Sequence, residues 1–248
     1  MPMLTFYQNL LAPPRHLIPV LLAMWIGLSL SESQARKRGL EAEKLSNLVF
    51  YAVLAWLAGG RLTFAALHPQ AFIASPLSLI YPNTDIFDLA GAWVVGLATA
   101  FLYARKQSLL DWETLDFLVP FFAFTTLGLA LAHLAEGKIF GSETSVPWAV
   151  EQLEARRHPY LIYELLAASG TLGLLWLRWT RSTPAAGSGF LLFAALTSGW
   201  ILIIEAFRGD SAFIFGGVRL AQVGALVVLA VSLYLLDTRL KARPAITS

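Results

Sequence analysis

The stretch Arg156–Trp179, RRHPYLIYELLAASGTLGLLWLRW, opens with two arginines, a histidine and a proline, then runs apolar to its end. An uninterrupted apolar run of about 20 residues, rising about 1.5 Å per residue, is what a helix needs to cross the hydrocarbon core of a bilayer. This run is broken by Tyr163 and Glu164. A carboxylate inside such a helix costs roughly 2.5–3.5 kcal/mol to insert unless it faces a partner or a wet cavity. The stretch therefore points to a membrane protein and raises the question of what Glu164 faces.

Composition agrees. Of 248 residues, 57% are hydrophobic and 14% charged, and the mean hydropathy is +0.63. A soluble domain carries about 25% charge, so there is too little polar surface to cover a water-soluble core. Seven apolar runs have spanning length, at 14–31, 47–67, 87–104, 115–135, 160–178, 188–207 and 213–236. Strand alternation is absent, and only helices and closed barrels satisfy their backbone in lipid. The expectation is an all-α integral membrane protein of seven transmembrane helices. It would be one domain over 1–248, with a small segment outside the membrane at 136–159. STPAAGSG at 182–189 reads as a helix–helix loop and RPAITS at 243–248 as a frayed tail. A cleaved signal peptide is the alternative for the first run. It is disfavoured because cleavage there would leave RKRG on the outer side.

Loop charges set the orientation. Arg36, Lys37, Arg38, Lys44, Arg105, Lys106, Arg178, Arg181, Arg239, Lys241 and Arg243 fall on one side. Arg15, Lys138, Arg156, Arg157 and Arg208 fall on the other. The richer side is expected to be cytoplasmic, which puts the N-terminus outside and the C-terminus inside. The net charge of +2 is then mostly topology, and no nucleic-acid patch is read from it.

In this arrangement Arg61, Asp88, His133, Glu164, Glu205, Arg208 and Arg219 all fall in the outer third of the membrane. Glu164 lies about 9 Å inward from His158, and Arg61 about 9 Å below its helix end. Arg208, Arg219 and Asp88 are near enough to helix ends to snorkel, and Glu205 with Arg208 has the spacing of a helical pair. Arg61 and Glu164 are too deep for that and are expected to pair. Together these groups predict a polar cavity open to the outer leaflet.

Several chemistries are excluded. Lys37, Lys44, Lys106, Lys138 and Lys241 all lie outside the spans, so no Schiff-base lysine is available for a retinal. Only His133 lies within a span, too few for a bis-histidine haem. No HExxH-like cluster offers a zinc site. No cofactor and no metal is expected, and with no cysteine there is no disulfide framework.

The fragments LAHLAEGKIFGSETSVPWAV, RRHPYLIYE and IIEAFRGD, with GGRLTFAALHPQAFIASPLSLIYPNTDIFDLAGAWVVGLATAFLYARK, resemble the bacterial prolipoprotein diacylglyceryl transferases over roughly 45–236. The resemblance implies seven helices with the N-terminus outside, in the bacterial inner membrane. It also implies transfer of the diacylglyceryl group of phosphatidylglycerol to the lipobox cysteine of a prolipoprotein signal peptide, with release of glycerol phosphate. Arg61, Gly137, Gly141, Arg157, His158, Tyr163, Glu164, Glu205 and Arg208 match the family pattern. With Lys138 they form the expected headgroup-binding set. Five positions depart from the pattern. Ala90 stands at the family's histidine, Ala130 and Ile201 at two arginines, and His133 at an asparagine. Lys138 stands at a glutamate. His133 is the candidate replacement base. The alternatives are a related lipid-group transfer and a catalytically inactive paralogue that binds anionic lipid or lipoprotein. In RHPYLIYE, Arg157 and His158 at the helix start are expected to grip the headgroup from the outer leaflet.

Overall fold

The computed structural model describes residues 2–12, 15–74, 86–179, 185–214 and 216–241. The helices are α1 (Pro2–Leu10), α2 (Ile18–Lys37), α3 (Ala42–Leu67), α4 (Pro69–Ala74), α5 (Leu89–Lys106), α6 (Trp112–Phe117), α7 (Val119–Glu136), α8 (Tyr160–Trp179), α9 (Ser188–Ile204) and α10 (Leu220–Lys241). Two small hairpins join them: β1 (Val150–Gln152) with β2 (Ala155–Arg157), and β3 (Phe213–Ile214) with β4 (Val218–Arg219). Among the described residues six helical stretches are long and apolar enough to cross a membrane: Arg15–Lys37, Ala42–Leu67, Trp112–Glu136, Tyr160–Arg178, Ser188–Phe207 and Leu220–Lys241. The expected third span is α5. It is 18 residues long and ends in Arg105 and Lys106, so any full-length window across it includes two cations.

The chain forms two compact units, Glu32–Thr114 and Met1–Ser31 with Leu115–Ser248. In the first, α3 and α5 run antiparallel. Asp88 N–H donates to the Gly60 carbonyl at 3.0 Å, and Tyr51 meets Tyr103 at 5.4 Å between ring centroids. Asp88 caps α5, its Oδ1 accepting from the Gly91 N–H at 2.6 Å, as an N-cap carboxylate does.

In the larger unit each long helix runs antiparallel to the next. Ser31 Oγ accepts from the Phe121 N–H at 3.2 Å and so ties the far end of α2 to the start of α7. At the other end of that contact Gly128 faces α2. A Cβ there would sit 2.6 Å from the Ala23 Cβ and 3.0 Å from the Pro19 carbonyl, so only glycine lets the two backbones approach this closely. Val119, Ala123 and Leu175 form a core against Leu172, Phe190, Leu192, Phe193 and Leu196, which holds α7, α8 and α9 together. Asp116 caps α9 from outside, accepting from the Gly187 N–H at 2.6 Å and the Phe190 N–H at 2.8 Å. Gln222 donates to the Leu202 carbonyl at 2.9 Å and brings α10 alongside.

This alternation gathers the start of α2, the end of α7, the start of α8, the end of α9 and the start of α10 at one end of the unit. Several expected boundaries shift there. Glu205 lies in a 3-10 turn beyond α9, and Arg208 follows it. Arg219 belongs to β4 rather than to the first turns of the last helix, because Gly216 and Gly217 at positive φ turn back a segment that looks continuously apolar. The segment 136–159 contains the β1–β2 hairpin. Residues 182–184 of the expected STPAAGSG loop and the whole RPAITS tail lie outside the described residues.

Gly128→Leu is expected to lower the stability of the detergent-purified protein by about 1–3 kcal/mol, the usual cost of overpacking. A Cβ at Gly170 has nothing within 4 Å, so Gly170→Ala is expected to be neutral or mildly stabilising. Thermal unfolding of both variants checks this.

Candidate functional site

The antiparallel run of α7 and α8 brings the last turn of one level with the first turns of the other. His133 Nδ1 and Glu164 Oε1 lie 2.8 Å apart there, with the side chains 35% and 22% exposed. A carboxylate can only accept, so Nδ1 carries the proton and Nε2 is left to bind something else. Glu164 Oε2 is buried and accepts no hydrogen bond from the described residues. Leu134, Tyr160, Leu161 and Ile204 pack beneath the pair, with Tyr7, Ile139 and Tyr163 against them. α1, which the hydropathy pattern does not announce, closes this end. Tyr7 Oη donates to the Leu131 carbonyl at 3.0 Å and Gln8 Nε2 to the Leu134 carbonyl at 3.1 Å. The second satisfies a carbonyl in the last turn of α7, where such groups have no partner within the helix.

Gly137, at φ +67°, ends α7, its N–H donating to the His133 carbonyl at 2.9 Å. Lys138 pairs with Glu136 at 2.7 Å. The chain then lies between two other segments. Ser142 N–H donates to the Phe207 carbonyl at 2.7 Å, Gly209 N–H to the Phe140 carbonyl at 2.8 Å, and His158 N–H to the Ser142 carbonyl at 3.0 Å. A Cβ on Gly141 would strike the His158 carbonyl, so this three-way contact requires glycine. Arg157 turns its donors onto the same construction. Nε donates to the Gln152 carbonyl at 3.1 Å, Nη1 to the Gly141 carbonyl at 3.2 Å and Nη2 to Glu143 at 3.1 Å. Its guanidinium lies 5.1 Å from the centroid of the Phe140 ring. α8 begins at Tyr160, and the Pro159 carbonyl accepts from the Ile162 and Tyr163 N–H groups. Beside it, Tyr163 Oη accepts from Trp148 Nε1 at 2.7 Å and lies 3.3 Å from His158 Nδ1. The Phe207 ring packs on both His158 and Tyr163.

The end of α9 supplies the charged side. Glu205 is buried and accepts from Ser211 Oγ at 2.7 Å. Arg208 holds Asp210 with two parallel bonds, Nε to Oδ1 at 2.7 Å and Nη2 to Oδ2 at 3.1 Å. Its Nη1 lies 3.9 Å from Glu205 and its face is 5.8 Å from the Tyr160 ring centroid. Those hydrogen bonds hold the Asp210 carboxyl below the usual carboxylate range and raise the Arg208 guanidinium. Tyr160, under Arg208, packs in one core with Leu134, which follows His133, so the cation and the His133–Glu164 pair share one end of the unit. Arg219 donates to the Arg208 carbonyl at 2.5 Å, to the Ala206 carbonyl at 3.2 Å and to Ser211, and lies over the Phe213 ring. It ties the loop that presents Arg208.

The larger unit thus gathers His133, Gly137, Lys138, Gly141, Arg157, His158, Tyr163, Glu164, Glu205 and Arg208 at one end. Arg61 belongs to the other unit, on α3 directly after Gly59 and Gly60. Sequence reasoning missed Asp210, Ser211 and Tyr7. The signal for the first two was their place directly after Arg208-Gly209. Ala130, where the family resemblance places an arginine, is wholly buried in α7. Among the described residues no group of three or more histidine, aspartate or glutamate side chains could hold a metal.

The chain matches a family model described as prolipoprotein diacylglyceryl transferase over residues 17–237. It is 28% identical over 240 residues to a phosphatidylglycerol–prolipoprotein diacylglyceryl transferase of Bordetella parapertussis, covering 88% of this chain and 90% of that one. Proteins of the same name from Coxiella burnetii and a Synechococcus strain are 30% identical over 180 residues and 29% over 235. The match covers 68% of this chain and 68% of the Coxiella protein, and 85% and 84% for the Synechococcus one. With its multiple apolar helices, this multi-pass membrane protein belongs to the prolipoprotein diacylglyceryl transferase family.

Proposed function

We propose that this chain transfers the diacylglyceryl group of phosphatidylglycerol to the lipobox cysteine of a prolipoprotein signal peptide at the outer face of a bacterial inner membrane. Family membership over 17–237 supports the reaction class. The observation that carries the site is the convergence of Arg208, Lys138, His133 and Glu164 on one end of the larger unit. The reaction replaces a glycerol C–O bond to phosphate with a C–S bond to cysteine, and glycerol phosphate leaves with added negative charge. Cations must hold that charge. The Arg208 fork already holds a carboxylate in two-point geometry, the arrangement that also suits phosphate. Lys138 adds a flexible second cation. Arg157 and Gly141 fix the strand between them, and Tyr163 with His158 forms the polar wall beside it. Arg61, on α3 of the smaller unit, is the remaining cation of the expected headgroup-binding set. We also propose α5 as the seventh span, with the N-terminus outside and the C-terminus in the cytoplasm, from the lysine and arginine bias of the loops.

A second reading has a specific observation behind it. Ala130 is wholly buried and Ile201 is apolar, where the resemblance places two arginines. A chain that has lost both could bind anionic lipid without turning it over.

Expression in cells depleted of their own transferase separates the two readings. Transfer predicts restored lipoprotein maturation, read as a mobility shift of a reporter lipoprotein. No shift, with retained binding of phosphatidylglycerol over a neutral lipid, selects the second reading. Loss of both removes the assignment. For orientation, a reporter after Ser248 is expected to be active only in the cytoplasm and one within 68–86 only outside. The reverse pattern would invert the site.

A further inference from the structure

We infer that His133 and Glu164 form the proton-accepting pair for the acceptor thiol in this chain. His133 Nε2 takes the proton, and Glu164 acts as a positioning residue that fixes the ring. The inference rests on the transfer reading above and deepens it. A thiol is a poor nucleophile until it loses its proton, so a base must stand within hydrogen-bond reach of the sulfur. The structure pairs His133, at the end of α7, with a carboxylate at 2.8 Å.

The geometry is that of an oriented base. Glu164 Oε1 accepts from Nδ1, which selects the tautomer with a free lone pair on Nε2 and stabilises the imidazolium once a proton arrives. A histidine kept only for packing would not require a carboxylate drawn into an apolar helix at the cost such a group carries. The His133 side chain is 35% exposed, which leaves it accessible to a substrate. The charged groups around His133 are Glu164 of α8, Glu136 of its own helix and Arg208 beyond α9; Tyr7 of α1 and the Arg15–Leu17 turn, which holds Arg15 and His16, pack on α7.

The step balances. The cysteine S–H proton moves to His133 Nε2, and the sulfur forms a bond to the glycerol carbon. The C–O bond to phosphate breaks, and the departing glycerol phosphate, now a monoester, takes the electron pair. The proton then passes from His133 to that monoester or to water. Arg208 and Lys138 stand where the leaving group's charge grows.

The test compares two acceptor peptides that differ only in cysteine against selenocysteine. A selenol is ionised at neutral pH and needs no base. Purified full-length protein in phosphatidylglycerol-containing vesicles is assayed by mass spectrometry of the peptide. His133→Asn is expected to cut transfer to the cysteine peptide by about 10²–10⁴-fold and to leave transfer to the selenocysteine peptide nearly unchanged. Its rate on cysteine should then rise only as the thiol itself ionises, near pH 8.5. Glu164→Gln should lose rate on cysteine and keep it on selenocysteine. His133→Ala with added imidazole is the second variant, expected to regain rate on cysteine, and unfolding temperatures confirm that each variant is folded. Equal losses on both acceptors, or no loss on either, would overturn the inference and leave the transfer reading standing. No transfer by the wild-type chain to either acceptor would overturn both.

Discussion

A carboxylate cannot stand alone in an apolar helix, and the arrangement of the larger unit follows from how Glu164 is accommodated. Its partner lies on the neighbouring helix rather than on its own. α7 and α8 must therefore run antiparallel and in a register that brings His133 level with Glu164. The core of Val119, Ala123 and Leu175 sets the same register from the opposite end. Apolar packing between these helices is non-directional, whereas the His133–Glu164 hydrogen bond admits one alignment. The two constraints agree, as they do where local and global preferences reinforce each other.

Around this pair the chain spends its polar side chains on rigidity. Arg157 and Arg219 carry full charges near the proposed headgroup, yet the hydrogen bonds they form here run to backbone carbonyls, to Glu143 and to Ser211. Gly141 and Gly209 allow three backbone segments to approach closely enough to hydrogen-bond. Arg208 stands apart. Its fork is held by Asp210, a carboxylate with the same two-point geometry as a phosphate, which in the proposed function aims the cation in advance. A site held in this way loses little freedom on binding, which is how preorganised cations favour a transition state whose charge grows.

Much of this was legible in the sequence, for reasons that differ from residue to residue. Run length is a local property, and the helices from 42 to 67, 160 to 179 and 188 to 204 lie close to where hydropathy places them. Gathering His133, Glu164, Glu205 and Arg208 at one end needed only the alternation of successive spans. The partner of Glu164 was harder. Depth alone suggested Arg61, whereas counting residues back from the ends of α7 and α8 places His133 at the same level. The charge of Arg157 is visible in the sequence, whereas the hairpin whose carbonyl accepts from it is not. Asp210 and Tyr7 went unnoticed because each matters through a contact made at a distance or in a loop, for which no periodic pattern exists. The Phe213–Arg219 hairpin was hidden by its own apolar composition.

The central claim is that the end of the larger unit bearing His133, Glu164 and Arg208 receives the phospholipid headgroup. A structure of the wild-type chain in nanodiscs of phosphatidylglycerol measures this directly. The account predicts phosphate density within hydrogen-bond distance of Arg208, on the same side as the His133–Glu164 pair. Phosphate at the opposite end of the unit, beside Arg178 and the Asp116 cap of α9, would contradict it.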